Sequence, residues 1–161
     1  MKGFVFDGAE MEGRLTTADD TRVPVKIQYT QKSPDAVHAK LTVETEEPFS
    51  TGRLMYEQFM RFVPEVGVKV SVNGKVFDYS KPFDSAKPYQ VVIPALPDNG
   101  VTTVVVDAPK ATWTLTGKFA VILQDLRNWK SDALQLRLMF TPYSGQLTKS
   151  SLEFDLVLNK K

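Results

Sequence analysis

Large apolar side chains occupy every second position in two stretches near the end of the printed chain. The first covers residues 134–140 and reads LQLRLMF, and the second covers residues 152–158 and reads LEFDLVL. A β-strand directs successive side chains to opposite faces, so this rhythm predicts two strands that each bury one face in a core. The same period recurs along most of the chain and favours a protein built from packed β-sheets.

The segment 68–79 contains the clearest local signal for a hairpin. Asn73-Gly74 separates two alternating runs, and both residues tolerate the positive φ angles that a two-residue hairpin turn requires. This turn predicts the register Val70 opposite Phe77, Val68 opposite Tyr79 and Lys69 opposite Asp78. Apolar residues then pair on one face and opposite charges on the other, and each such pair contributes about 0.2–1 kcal/mol.

Other runs extend the same pattern into a fold class. Val23–Tyr29 and Val37–Val43 alternate on either side of a Ser-Pro-Asp turn, which predicts a second hairpin. Turn signals recur every ~8–12 residues, a spacing typical of sandwiches and barrels. We therefore predict an all-β fold in one domain spanning residues 1–161. Its form is a two-sheet β-sandwich, Ig-like or jelly-roll, with about nine or ten strands.

Residues 53–62 interrupt the rhythm. They read RLMYEQFMRF, in which Met55, Phe59 and Phe62 are spaced by four and three positions and would form one stripe on a helix. Pro64 follows and would end the helix. We predict one short helix near 53–62, with a strand as the alternative because aromatic residues are dense.

Composition narrows the functional classes. A chain of 161 residues can bury about 70% of its unfolded surface, so it needs neither a disulfide nor a metal to fold. It has no cysteine, which excludes disulfides, thiolate metal sites and a cysteine nucleophile. The net charge of +1 gives no support to nucleic-acid binding, and no apolar run is long enough for a membrane span. Without a signal peptide, we expect a cytoplasmic protein, or a virion protein assembled in the cytoplasm.

Catalytic motifs are absent from the sequence. His38 is the only histidine, and no serine lies in the G-x-S-x-G context of a hydrolase nucleophile. The phosphate-binding patterns GxxxxGK[ST] and GxGxxG are missing as well. A carboxylate Ca²⁺ site at Asp19-Asp20 or Asp98-Asn99 stays open, although both segments are explained as turns. We expect no enzyme activity, no metal and no cofactor, and we interpret His38 as a histidine exposed on a strand.

Aromatic residues are the remaining candidates for recognition. Trp129 lies in a polar loop between Asn128 and Lys130, Tyr143 lies in the turn between the last two strands, and Tyr56 lies in the irregular segment. Exposed Trp and Tyr side chains stack on sugars and anchor protein interfaces. Each could equally fold back over the end of the sandwich. Trp113 alternates with threonines, and we assign it to the core.

These observations favour a non-enzymatic structural or interaction protein. The leading hypothesis is a subunit of a larger homo- or hetero-oligomeric assembly, such as the capsid decoration or tail of a phage particle. A carbohydrate-binding sandwich that uses Trp129, Tyr143 or Tyr56 on a glycan is the alternative. A glycoside hydrolase with paired carboxylates is least favoured, since nothing selects a pair among 19 acidic residues. Residues 23–29 and 35–39 resemble the actinobacterial SsgA-like sporulation proteins, and no residue role is carried over from that short resemblance.

Overall fold

The computed structural model describes residues 10–16, 22–50, 55–61, 68–79, 82–86, 90–96, 100–131, 133–140 and 145–161. Twelve strands and one 3₁₀ turn, Leu126–Trp129, lie in these ranges. The strands are β1 Glu10–Thr16, β2 Arg22–Ser33, β3 Ala36–Ser50, β4 Met55–Arg61, β5 Lys69–Val72, β6 Lys75–Asp78, β7 Gln90–Ile93, β8 Thr102–Ala108, β9 Ala111–Gly117, β10 Ala120–Asp125, β11 Ala133–Met139 and β12 Gln146–Lys160.

The strands form two antiparallel sheets. The large sheet has eight strands in the order β1-β2-β3-β12-β9-β8-β5-β6, and the small sheet has four in the order β4-β11-β10-β7. This confirms the predicted all-β, sandwich-like fold, with more strands in the described ranges than the nine or ten expected. β2 and β3 form the second predicted hairpin. The last two strands, in contrast, belong to different sheets.

The inner faces of both sheets meet in one hydrophobic core. Leu136 of the small sheet is 2% exposed and Phe154 of the large sheet is 4% exposed, so the alternation in their two strands does bury one face. The fully buried Phe119 lies between β9 and β10, where the chain crosses from the large sheet to the small one. Burial of such side chains contributes about 1.5–3 kcal/mol each and is the main force that holds the sheets together.

The β5–β6 hairpin has the register that its sequence predicts. Val70 pairs with Phe77 and Lys69 with Asp78, and the Tyr79 amide donates to the Val68 carbonyl at 3.1 Å. Asn73 and Gly74 have φ angles of 50° and 82°, as a two-residue turn of this kind requires. The Asn73 side chain also accepts a 2.9 Å bond from the Thr103 amide, which fastens the turn to β8.

The short helix predicted near 53–62 is wrong. Residues Met55–Arg61 form β4, which pairs with β11 from Met55 opposite Met139 to Arg61 opposite Ala133. The partner strand lies far along the chain, so its ladder of backbone hydrogen bonds is invisible in local spacing. Tertiary pairing of this kind overrides a weak helical stripe.

Strand direction defines two ends of the sandwich. β9 ends at Gly117 in the large sheet, and after two residues β10 begins at Ala120 in the small sheet, so these strand termini lie at one end. At the opposite end, Asp78 at the finish of β6 lies in one pairing row with Thr112 at the start of β9. Tyr79, just beyond β6, interacts electrostatically with Asp125 at the finish of β10, so the start of β9 and the finish of β10 share this end. We call that opposite end the tryptophan end. Trp113 is the third residue of β9, and Trp129 is the last residue of the 3₁₀ turn that follows Asp125.

Candidate interaction site

The 3₁₀ turn that carries Trp129 is fixed by its own backbone and by Asp125. The Asp125 carboxylate accepts a 3.0 Å hydrogen bond from the Arg127 amide, as a helix cap does. At the other side of the turn, Lys130 adopts a left-handed conformation with φ 60° and its amide donates to the Arg127 carbonyl at 3.0 Å. The turn is therefore closed at both ends.

A bidentate ion pair holds the base of this turn. Arg127 Nη2 lies 2.7 Å from Asp125 Oδ2, and Arg127 Nε lies 3.0 Å from Asp125 Oδ1. The two side chains are only 17% and 10% exposed, so solvent screens the pair weakly. The Arg127 guanidinium also lies 6.0 Å from the centre of the Phe83 ring, within the range of a cation–π contact. This pair is not among the residues predicted from the sequence, although the Asp-Leu-Arg spacing is a recognisable capping signal.

Trp129 projects from the fixed turn into solvent. Trp129 is 52% exposed, compared with 37% for Trp113, the other tryptophan in the chain. A large apolar ring that stays in water on a rigid turn loses little entropy when a partner covers it. Tryptophan in such a position is enriched among the residues that dominate binding energy at interfaces. The structure thus places the candidate contact residue Trp129 on the surface.

Trp113 is not in the core, contrary to the sequence prediction. It lies on the inner face of β9, opposite Val106 on one side and Leu158 on the other. Val106 and Leu115 are 5% and 6% exposed, whereas Trp113 is 37% exposed. Burial thus falls away between Val106 and Trp113, although the two are paired and both occupy the inner face. Alternation reports which face a residue occupies but not how far the opposing sheet reaches.

Both tryptophans therefore lie at one end of the sandwich. The register places Trp113 at the start of β9 and Trp129 just beyond the end of β10, and these two termini share the tryptophan end. Tyr79 joins the two sheets there, because it follows β6 in the large sheet and interacts electrostatically with Asp125 and Arg127 of the small sheet. Exposed apolar area of this kind is concentrated on interaction sites in soluble proteins.

Three lysines surround the Trp113 side of this end. Lys160 pairs with Ala111 in β9, and the Lys161 amide donates to the Lys110 carbonyl at 3.2 Å. We call Lys110, Lys160 and Lys161 the lysine corner. The Lys161 ammonium pairs with Asp107, and its hydrogen bond lowers the pKa of that carboxyl, with a smaller contribution from Thr112. Asp107 is exposed, so this pair contributes little to stability.

Burial raises the pKa of Tyr79 to about 12 from 10.0, and the charge of Asp125 adds to the shift while Arg127 opposes it. A raised folded-state pKa means that stability is fully present below pH 10 and is lost as the pH rises toward 12. We expect a loss of about 2 kcal/mol across that interval. Absorbance of tyrosinate and denaturant unfolding, compared between the wild type and Tyr79→Phe, measure it. Identical titration and stability curves for the two proteins would contradict this assignment.

Tyr143, Tyr56 and His38 are the other residues that the sequence singles out. Tyr143 lies outside the described residues, and Tyr56 pairs with Leu138 in β4 while its side chain lies outside the described part. His38 lies on the outer face of the large sheet, half-buried rather than freely exposed. Its Nδ1 is 2.8 Å from Asp155 Oδ1 and its Nε2 is 3.3 Å from Glu153 Oε1.

Asp19-Asp20 and Asp98-Asn99 lie outside the described residues. Within the described ranges, no cluster of three or more His, Cys, Asp or Glu side chains is arranged to hold a metal ion. In the same ranges, no helix combines the length and the apolar character needed to cross a membrane.

Comparison with protein-family models, with curated proteins and with solved structures finds no significant match in any of the three. The short resemblance to the SsgA-like proteins therefore has no support from comparison. A phage particle as the assembly that contains this chain stays a prediction.

Proposed function

We propose that the protein is a non-enzymatic interaction protein, a β-sandwich subunit that assembles with other protein subunits through its tryptophan end. The observation that supports this most is the placement of Trp113 and Trp129, both more than one third exposed, at the same end of the sandwich. Tryptophan is costly to leave in water and is enriched at interface hot spots. Two of them at one end indicate a surface that is covered in the functional state.

The surroundings of the two rings support a protein partner. The Asp125–Arg127 pair holds the 3₁₀ turn. The backbone that carries Trp129 is therefore already ordered, which lowers the conformational entropy lost on binding. Leu158 lies beside Trp113 and extends its apolar surface, while lysines lie around it. An apolar centre with a charged rim is the usual organisation of a protein interface.

A glycan is the second candidate, and one observation favours it. Trp129 lies in a polar turn between Asn128 and Lys130, where an exposed ring could stack on a sugar while amide and ammonium groups donate hydrogen bonds. Trp113, a second exposed ring at the same end, favours a protein instead.

The test compares solution mass and partner retention between the wild type and Trp113→Ser/Trp129→Ser. We expect the wild type to grow in mass with concentration or to retain a defined partner subunit, and the double variant to lose that association by ten-fold or more in Kd, the size of a hot-spot loss of about 1.4 kcal/mol or greater. Val76→Ser/Val92→Ser is the matched control, since these valines are 61% and 60% exposed on two outer strands.

Two results would overturn the proposal. One is a wild-type protein that stays monomeric at high concentration and retains no partner. The other is a control variant that loses association as fully as the tryptophan variant, because the tryptophan end would then have no special role. Binding of the wild type to a glycan array, abolished by Trp129→Ser alone, would move the conclusion to the carbohydrate-binding candidate.

A further inference from the structure

The longest strands of the large sheet connect two places of opposite charge. β12 has 15 residues and runs from the acidic part of β3 to the lysine corner. At about 3.3 Å per residue, these two places lie on the order of 40 Å apart. They occupy opposite ends of the sandwich, because β3 runs antiparallel to β12 and carries its acidic residues beside the start of β12.

The acidic region is an enlarged bulge in β3. Phe49 pairs with Leu147 and Glu44 pairs with Lys149, so the four residues 45–48 of β3 lie opposite the single residue Thr148. The Thr45 hydroxyl donates to the Glu47 carbonyl at 2.6 Å and shapes the loop. Bulges of this kind displace backbone from the sheet and present side chains at defined positions. We call residues 45–48 the acidic bulge.

The charges of the acidic bulge are available to a partner. Glu46, Glu47 and Pro48 are exposed, and neither glutamate makes an ion pair with any residue that the structure describes. The adjacent Glu44 is already paired with Lys149 at 2.8 Å, so that pair is neutral. Lys118, just after β9, and Lys75, at the start of β6, lie toward the same end. The bulge itself thus presents two uncompensated carboxylates followed by a proline ring.

The lysine corner presents the complementary set. Lys110 and Lys160 are exposed and, in the described ranges, make no ion pair, while Lys161 is paired with Asp107. Asp35 lies across β12 from the corner, in the turn before β3, where its carbonyl accepts from the Leu158 amide. Trp113 pairs with Leu158, two positions along β12 from Lys160, and offers an exposed apolar ring on the strand that follows Lys110.

We propose that the acidic bulge of one copy of this chain docks on the lysine corner of a second copy, with Glu46 and Glu47 against Lys110 and Lys160 and Pro48 against the Trp113 ring. This inference rests on the proposed function and names a second copy as a partner. The two surfaces lie at opposite ends of one subunit, so the contact is heterologous and repeats from copy to copy. Such a contact generates a ring if the rotation closes and a filament if it does not.

The experiment measures mass by sedimentation velocity over a range of protein and salt concentrations. We expect the wild type to self-associate at low salt and to weaken about ten-fold as salt screens the exposed charges. Glu46→Lys/Glu47→Lys and Lys110→Glu/Lys160→Glu should each remain monomeric. An equimolar mixture of the two variants should recover the wild-type association, because each reversed surface then meets its new complement.

A control separates surface charge from net charge. Lys26→Glu/Lys40→Glu makes the same change in net charge on the outer face of the large sheet, and it should retain wild-type association. Far-ultraviolet circular dichroism confirms that every variant keeps its strands. A wild type that is monomeric under all conditions, a control that dissociates like the corner variant, or a mixture that fails to recover would each overturn the inference. Retention of a different protein partner by a monomeric wild type would leave the proposed function standing and remove only this contact.

Discussion

Replacing Phe119 with alanine is expected to lower the free energy of unfolding by about 3–5 kcal/mol. Phe119 is 0% exposed and lies where the chain passes from β9 of the large sheet to β10 of the small sheet. Its ring packs close to Gly117, where an added Cβ would lie 2.9 Å from Phe119 Cε1. Removing the ring therefore opens a cavity at the junction of the two sheets. Urea unfolding monitored by circular dichroism gives the change.

Two variants bracket this expectation. Phe119→Leu keeps most of the volume and should cost less than half as much, whereas Val92→Ala, at a side chain that is 60% exposed, should cost under about 0.5 kcal/mol. A Phe119→Ala protein as stable as the wild type would mean that the two sheets do not share a core at this point.

Replacing Arg127 with methionine should cost about 3 kcal/mol, because it leaves the Asp125 carboxylate buried without its counter-charge. Loss of the guanidinium should also loosen the 3₁₀ turn, because the Asp125 carboxylate that caps Leu126–Trp129 would move toward solvent. Denaturant unfolding measures the first effect. The fluorescence anisotropy of Trp129, read in a Trp113→Phe background where it is the single tryptophan, measures the second and should fall as the turn becomes mobile.

A double variant distinguishes the ion pair from simple packing. Asp125→Leu/Arg127→Met removes both charges together, and its cost should be smaller than that of Arg127→Met alone. If the double variant is the less stable of the two, the pair contributes net stability and the buried-charge explanation is incorrect.

Much of the fold can be predicted from local residues because the deciding interactions are local. The Asn73-Gly74 turn specifies its hairpin through two positive φ angles, and the register Val70 opposite Phe77 follows by counting. Alternation likewise identifies the buried face of residues 134–140, where Leu136 is 2% exposed. In both cases one short segment contains all the information needed.

The errors arise where the deciding partner is distant. β4 is a strand because β11 supplies its hydrogen bonds, and nothing within residues 55–61 reveals that partner. Gln135 shows a second effect, since it occupies the polar side of an alternating run and is nevertheless 4% exposed. The alternation shows which face of the strand a side chain occupies, whereas the rest of the chain decides whether that face is covered.

The candidate site was predictable only in part. Trp129 was identifiable from its polar neighbours, but the alternation of Trp113 with threonines placed that ring in the core, whereas it is 37% exposed. The meeting of both rings at one end depends on the crossing from β9 to β10, a property of the topology. The lysine corner is likewise assembled by pairing β12 with β9, which brings Lys160 beside Ala111.

The most direct test follows the accessibility of Trp113 as the protein assembles. In Trp129→Phe, Trp113 is the single tryptophan, and acrylamide quenching of its fluorescence reports contact with solvent. The account predicts ready quenching in dilute, monomeric protein and progressive protection as the sedimenting mass increases with concentration. A ring already shielded in the dilute monomer, or one quenched equally at every concentration, would contradict a tryptophan end that is open in the free subunit and covered in the assembly.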